Sequence, residues 1–560
     1  MKRNQREPRK SRSIALALLA TAVLAACGGD DEGPSTPAVT AGTPSGPAPT
    51  EPVSKPASSV TPACTACGAI DANTYSGSGV GIWQNINATT AVVDMPISIS
   101  GLNGQDVTLV FTNETGTPQV MPTLPLTSSY YPSVVASELQ WDDGSEAIKR
   151  RIQAFNRTGW AALAGERGAA SSYSQLSAPN RSAVNDVRSW FHADDSERTA
   201  TLVRQGTTTD GTTVNFWVEN GESDPAKVSP AIIDTLVDGF VPSGKIYDLL
   251  ESVGGPLWGV HSYSDLIDGN GQPIDIVILN FDRNAKPNGV LGYFYALNAF
   301  KRDTTKRRFS NESISLYLDA ETLYLGGASG LHSMLLTMAH EGMHMQNFYR
   351  RTVTRGATYA FDTWLEEATA MMMEDFASQA VEPTYNAIRD VRFPNYIGYR
   401  AGSYNCSLVD WMPFGRLCDS YSVTGSFGGF LDRQLGLDFY RGLLTNVSSA
   451  DSVVVLDAAI RAAAPTSSLG EQLRRFAATA GSLMKAPSPA GFGFPSRGAS
   501  PFMLPSIDPQ AQLKHHTLTQ SVPTMLQPYA SLPVVRQAIK GTYSETVKVP
   551  AGTALSVVIQ

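Results

Sequence analysis

The chain has 560 residues, of which 42% are apolar and 17% charged. That balance excludes a disordered or coiled-coil protein, and at about 150 residues per unit it predicts three or four folded units. The net charge of -8 is mild, and the absence of a basic block beyond the first dozen residues argues against nucleic acid as a partner.

Lys2, Arg3, Arg6, Arg9, Lys10 and Arg12 precede an apolar run from Ile14 to Ala26. The run is too short to persist as a bilayer-spanning helix and has the layout of a signal peptide. It ends in Leu24-Ala25-Ala26-Cys27, which resembles the bacterial lipobox, so residues 1–27 predict export and a lipid on Cys27. Gly28 and Gly29 follow, with no aspartate at the second mature position; by resemblance to bacterial sorting signals this points to the outer membrane, with the membrane engaged through the N-terminal lipid anchor. Residues 28–68 are rich in Pro, Gly, Ser and Thr. They hold too few large apolar side chains to offset ordering entropy and predict a tether. With Cys27 lipidated, Cys64, Cys67, Cys406 and Cys418 form an even set, and two local disulfides are the simplest pairing in an oxidising compartment.

Residues 69–145 predict a small all-β, sandwich-like domain, in which Val107, Leu109 and Phe111 share one face at period two. Residues 146–197 read as a helical connecting segment. In residues 198–485, strand signals at ATLVRQG and TTVNFWVENGE precede a helical stretch, PAIIDTLVDGFVPSGKIYDLLESV. The apolar run IDIVILNF and two strand-like segments, GVLGYFYAL and SISLYLDAETLYL, come next, and helical patterns begin at about Gly330. A mixed sheet followed by helices is an α+β arrangement. Residues 486–560 are Pro-rich as far as Pro509 and close with TYSETVKVPAGTALSVVIQ, a short C-terminal β element around a Pro-Ala-Gly turn.

The first of these later helices carries TMAHEGMHMQNF. At i and i+4 of a helix, His340 and His344 lie about 5 to 6 Å apart on one face, which lets both imidazoles ligate one Zn²⁺. Glu341 points beside that face, where a carboxylate can take the proton of an attacking water as it meets a carbonyl carbon. Gly342 lowers helix propensity, so its place predicts a neighbouring element packed closely against it. Zinc needs a third protein ligand. The three-histidine solution HExxHxxGxxH is excluded, because Asn347 and Arg350 stand where it needs glycine and histidine. A glutamate from the next helix remains, and FDTWLEEATAMMMEDF offers Glu366 and Glu367.

Trp364-Leu365-Glu366-Glu367-Ala368-Thr369-Ala370 resembles the Trp-Leu-Asn-Glu-Gly-x-Ala segment of gluzincin metallopeptidases, which implies Glu367 as the third ligand. Glu366 replaces the family's asparagine and stays an alternative. Glu374 lies two turns on, placed to hydrogen-bond a ligand or to face solvent. Together with the strand-rich lead-in, these helices resemble the hyicolysin family of secreted bacterial zinc metallopeptidases over about residues 198 to 485. The resemblance implies a gluzincin-like catalytic domain, one catalytic Zn²⁺ held by His340, His344 and Glu367, Glu341 as general base, and polypeptide substrates. By the same analogy Tyr421, shortly before Gly425 at a helix start, would steady the oxyanion, and Ile314 to Leu325 would supply an edge strand for extended substrate. His192, His261 and His332 lack ligand spacing, and the polar pair His515 and His516 reads as exposed. An inactive module serving a surface binding protein is the alternative, opposed by the intact Glu341. An aminopeptidase lacks support, since no GxMEN-like segment precedes the motif.

Overall fold

The computed structural model describes residues 58–126, 143–165, 182–399, 402–412 and 418–560. The lipobox with Cys27 and most of the expected tether lie outside these. Ordered packing starts before residue 69: Val60 is fully buried, and Thr61 and Pro62 pair with Gln84 and Trp83.

A six-stranded mixed sheet carries the site. Its strands run in the order Gly292–Phe294, Ile314–Asp319, Ile274–Leu279, Thr213–Glu219, Glu197–Thr207, Val187–Phe191. Ile274–Leu279 is parallel to both neighbours, and the remaining pairs are antiparallel. A strand covered on both faces reads as a continuous apolar run, and IDIVILNF obeys this: Ile276 and Ile278 enter the core shared with the helices, while Val277 and Leu279 enter the core on the other face. Val187–Phe191 lies within the segment read as connecting, so the sheet begins earlier in the chain than its strongest apolar signal.

SISLYLDAETLYL is not one strand. Asp319 accepts a hydrogen bond from Thr322 N and starts the short helix Ala320–Leu325, as a side-chain N-cap does. The strand Ile314–Asp319 is also not at the edge; it lies between Ile274–Leu279 and Gly292–Phe294. The short strand in GVLGYFYAL is the edge instead. Local alternation could not distinguish them, because edge position depends on which partner arrives from elsewhere in the chain.

The helix Gly327–Asn347 packs on this sheet and against Ile246–Gly254 and Thr363–Val381. Gly342 leaves the room needed there, since a Cβ would lie 2.5 Å from Leu250 Cδ1. A π-turn, Phe348–Val353, follows directly.

The two ends of the chain form a common sheet rather than separate β units. Seven strands join in it, including Gly81–Asn87, Val93–Asn113, Ser531–Val549 and Thr553–Ile559. The segment Val107–Asn113 is flanked by Ser531–Arg536 on one side and Thr553–Ile559 on the other. The Pro-Ala-Gly turn therefore joins strands that straddle a third strand instead of closing a simple hairpin. Such pairing across more than 400 residues leaves no local pattern. Cys64 is bonded to Cys67, and Cys406 to Cys418. Among the described residues no helix is long and apolar enough to cross a membrane.

Candidate active site

His340 and His344 sit on the buried face of Gly327–Asn347, with ring centroids 4.7 Å apart. Their Nε2 atoms turn to the same oxygen of the next helix, Glu367 Oε2, at 3.1 Å and 3.7 Å. One ligand atom from each of the three residues lies within 4.8 Å of the others. Two imidazole nitrogens and a carboxylate oxygen that close together match the donor set of a zinc site.

The outer nitrogens are held as well. His340 Nδ1 bonds Glu374 Oε1 at 2.6 Å, and His344 Nδ1 bonds Glu366 Oε1 at 2.9 Å. Asn347 Nδ2 donates to both oxygens of Glu366, each at 3.2 Å, and to Thr369 Oγ1 at 3.1 Å. Carboxylates on the far nitrogen fix the tautomer and aim of a ligating imidazole. Glu366 and Glu367, adjacent in sequence, thus face different nitrogens, and Asn347 anchors the former.

The electrostatics favour a cation. Burial disfavours charge on His340, yet the hydrogen bonds its N–H groups donate to Glu367 and Glu374 outweigh it and lift the imidazole to about 9. His344 is also raised well above the usual range; burial opposes its charge, but Glu367 and Glu366 prevail. Glu367 is lowered: burial works against its charge, and the two imidazoles more than offset that. Glu341 is buried, which raises its carboxyl pKa. Its Oε2 accepts the Phe294 N–H of the edge strand at 2.8 Å.

Tyr421 is the second residue of helix Ser420–Leu435, whose N-cap is Asp419. It lines the same cavity of about 430 Å³ as His340, Glu341 and Glu367. Burial raises its phenol well above the ordinary value, and Trp411 packs edge-on at 4.8 Å.

The other histidines lie elsewhere. His192 Nδ1 is 3.0 Å from the Tyr293 hydroxyl, His261 Nε2 bonds the Ile267 carbonyl, and His332 pairs with Glu382. His516 is buried rather than exposed, its ring 6.2 Å from that of Tyr404; the tail folds back over the body, which a polar dipeptide cannot announce.

Four contributors carry no signal in the sequence that marks them for the site. Gln153 and Lys149 of helix Asp143–Arg157 line the cavity opposite the motif helix. Arg392 Nη2 lies 3.6 Å from Glu374 Oε1. Gly292 brings the edge strand onto the motif helix: a Cβ there would meet Thr337 Cγ2 at 2.6 Å and the Tyr317 carbonyl at 2.7 Å. None belongs to a motif, and only a glycine inside a strand pattern hints at a close backbone approach.

Two histidines with a glutamate beside the first on one helix, and a carboxylate from the next helix facing both, match the HExxH-plus-glutamate pattern. The family model described as Peptidase M30 matches residues 194–560, and the chain belongs to that family. Residues 62–126 match a domain of unknown function, DUF8571. The chain is similar to neutral metalloprotease ShpI of Staphylococcus hyicus, with 25% identity over 309 residues; the match covers 53% of this chain and 63% of that protein.

Proposed function

We propose that the protein is a zinc-dependent endopeptidase of the cell envelope. One observation carries the reading: both Nε2 atoms converge on Glu367 Oε2 while the Nδ1 atoms are engaged by Glu374 and Glu366. His340, His344 and Glu367 would be the ligands, with Glu366 as a support for His344. Zinc held there would supply Lewis acidity towards the scissile carbonyl and bring a water's pKa towards neutrality.

The remaining steps belong to the chain's own groups. Glu341, oriented by the Phe294 N–H, takes a proton from the attacking water and returns it to the departing amine, acting as base and then as acid. Tyr421 donates its phenolic proton in a hydrogen bond to the developing oxyanion, a contribution of about 3 to 4 kcal/mol where such donors have been removed. Gly292–Phe294, as the edge, would pair with an extended polypeptide. The basic N-terminus, apolar run and Cys27 support export and lipid attachment at the outer membrane.

The test is zinc content together with casein hydrolysis for wild type and Glu341→Gln. The expected result is one zinc per chain in both and hydrolysis only in the wild type. A wild type that binds zinc yet is as inert as the variant on varied unfolded substrates would instead support a surface binding protein with an inactive module.

A further inference from the structure

The helix Asp143–Arg157 falls between the two matched regions, which end at residue 126 and begin at residue 194. It nevertheless lies against the proposed catalytic centre. Asn156 Nδ2 donates to the Phe294 carbonyl at 2.8 Å, and Asn156 Oδ1 accepts the Ala296 N–H at 2.8 Å. A residue of a parallel strand engages its neighbour in this way, taking the C=O of one residue and the N–H of the residue two further on. The carboxamide therefore stands in for the N–H and C=O of one extended residue, placed beside Tyr295 where the edge strand ends at Phe294 and the 3-10 turn Ala296–Ala299 begins.

One turn earlier, Gln153 Nε2 donates to Glu367 Oε1 at 2.8 Å, while the imidazoles face the other oxygen of that carboxylate. Lys149, a further turn back, lines the same cavity. Residues 149, 153 and 156 share one helical face by their spacing. Ile152 is buried, Phe155 packs edge-on against Tyr295 at 5.3 Å and Phe300 at 6.2 Å, Arg151 bonds Asp195 at 2.6 Å and the Ala193 carbonyl at 3.0 Å, and Arg157 pairs with Asp362; the fully buried Trp160, just past the C-terminal end, is the pivot about which the helix would swing. Both members of the Arg157 pair are about half exposed, at 48% and 38%, so water competes with that contact.

We propose that Asp143–Arg157 is a built-in occupant of the catalytic cleft: Asn156 takes the backbone groups an extended polypeptide would use, Gln153 caps the Glu367 carboxylate, and substrate enters only when the helix withdraws. This rests on the peptidase reading. A cleft open only part of the time weakens apparent affinity by the fraction open, so freeing it strengthens peptide binding by that factor.

The test uses the full zinc-loaded chain and three variants: Asn156→Ala, Gln153→Ala with Asn156→Ala, and Arg157→Ala. The readouts are zinc content, the Kd of a fluorescent peptidyl hydroxamate, and kcat/KM on a quenched peptide. With zinc in saturating excess, the expected result is one zinc per chain in every variant, even where loss of Gln153 weakens zinc affinity, with hydroxamate binding about tenfold tighter in the first two and shifted the same way in the third, and kcat/KM raised in step. Unchanged or weaker hydroxamate binding with zinc intact overturns the proposal and makes the helix a supporting wall. If the first two variants lose zinc or fail to fold, Arg157→Ala decides, because Arg157 bonds neither the edge strand nor Glu367. Tighter binding without hydrolysis by any protein supports the occluding helix while removing the peptidase reading.

Discussion

Glu374 holds Nδ1 of His340 at 2.6 Å from a position two helical turns beyond Glu367. The same helix therefore supplies the carboxylate facing the inner nitrogens and the one steadying an outer nitrogen. Partners of this kind are worth about 10- to 100-fold in metal affinity. Glu374→Gln and Glu366→Gln should each lose zinc affinity by about that factor while still binding the ion, whereas Glu367→Ala should fail to retain zinc through gel filtration. Competition against a chromogenic chelator measures all three. If Glu366→Gln empties the site and Glu367→Ala keeps it, the ligand assignment is reversed.

Gly292 permits the close approach of the edge strand to the motif helix. A Cβ would collide with the Tyr317 carbonyl and with Thr337, and would touch Glu341 Cγ at 3.4 Å. Gly292→Ala should push the strand outwards and lengthen the Phe294 N–H contact to Glu341. Stability should fall by about 1 to 3 kcal/mol, and kcat should fall more than KM rises. A variant with wild-type kcat on peptide substrate would contradict this role.

Arg433 and Asp375 form an ion pair with neither side chain exposed. Asn386 Nδ2 also donates to Asp375 at 2.6 Å, and Arg433 donates to the Pro505 carbonyl of the tail at 2.9 Å. Removing one partner strands the other charge, so Arg433→Ala should cost about 3 to 5 kcal/mol. Urea denaturation would register the loss. A cost below about 1 kcal/mol, the level of an exposed pair, would mean that the tail and the helix bundle are held together by other contacts.

His192 is buried, and that burial lowers its pKa to about 4, with Asp194 favouring the charged form and Arg198 and Arg283 opposing it. The unfolded chain takes up a proton near pH 6.5, which the folded chain refuses until about 4. Stability from this group is therefore constant above about pH 6.5 and falls as pH drops through the window, by up to about 3 kcal/mol. His192→Gln should flatten that part of the stability profile between about pH 7 and 4. An unchanged profile would refute the assignment.

Much of the centre is legible locally. An i, i+4 histidine pair and a glutamate beside it follow from helical periodicity, and the identities of Asn347 and Arg350 are enough to remove the three-histidine solution. The apolar run at Ile274–Leu279 announces a strand covered on both faces. Glu366 and Glu367 are not separable by sequence, because a step of about 100° around the helix matters only once the position of the motif helix is fixed. Gln153 and Asn156 are invisible for a stronger reason: ordinary amides acquire meaning only from what faces them.

Spacing within the motif helix thus settles which helix bears the histidines and that Glu341 stands beside them, whereas the carboxylate of the next helix is legible only through the resemblance of Trp364–Ala370 to the gluzincin segment. Which strand forms the edge, which nitrogen each glutamate meets, that a helix from residues 143–157 lines the cleft, and that the first and last strands share a sheet were decided by tertiary packing. Those outcomes are pairings between distant segments, fixed by the burial and hydrogen bonding of the assembled chain rather than by the propensity of any stretch within it.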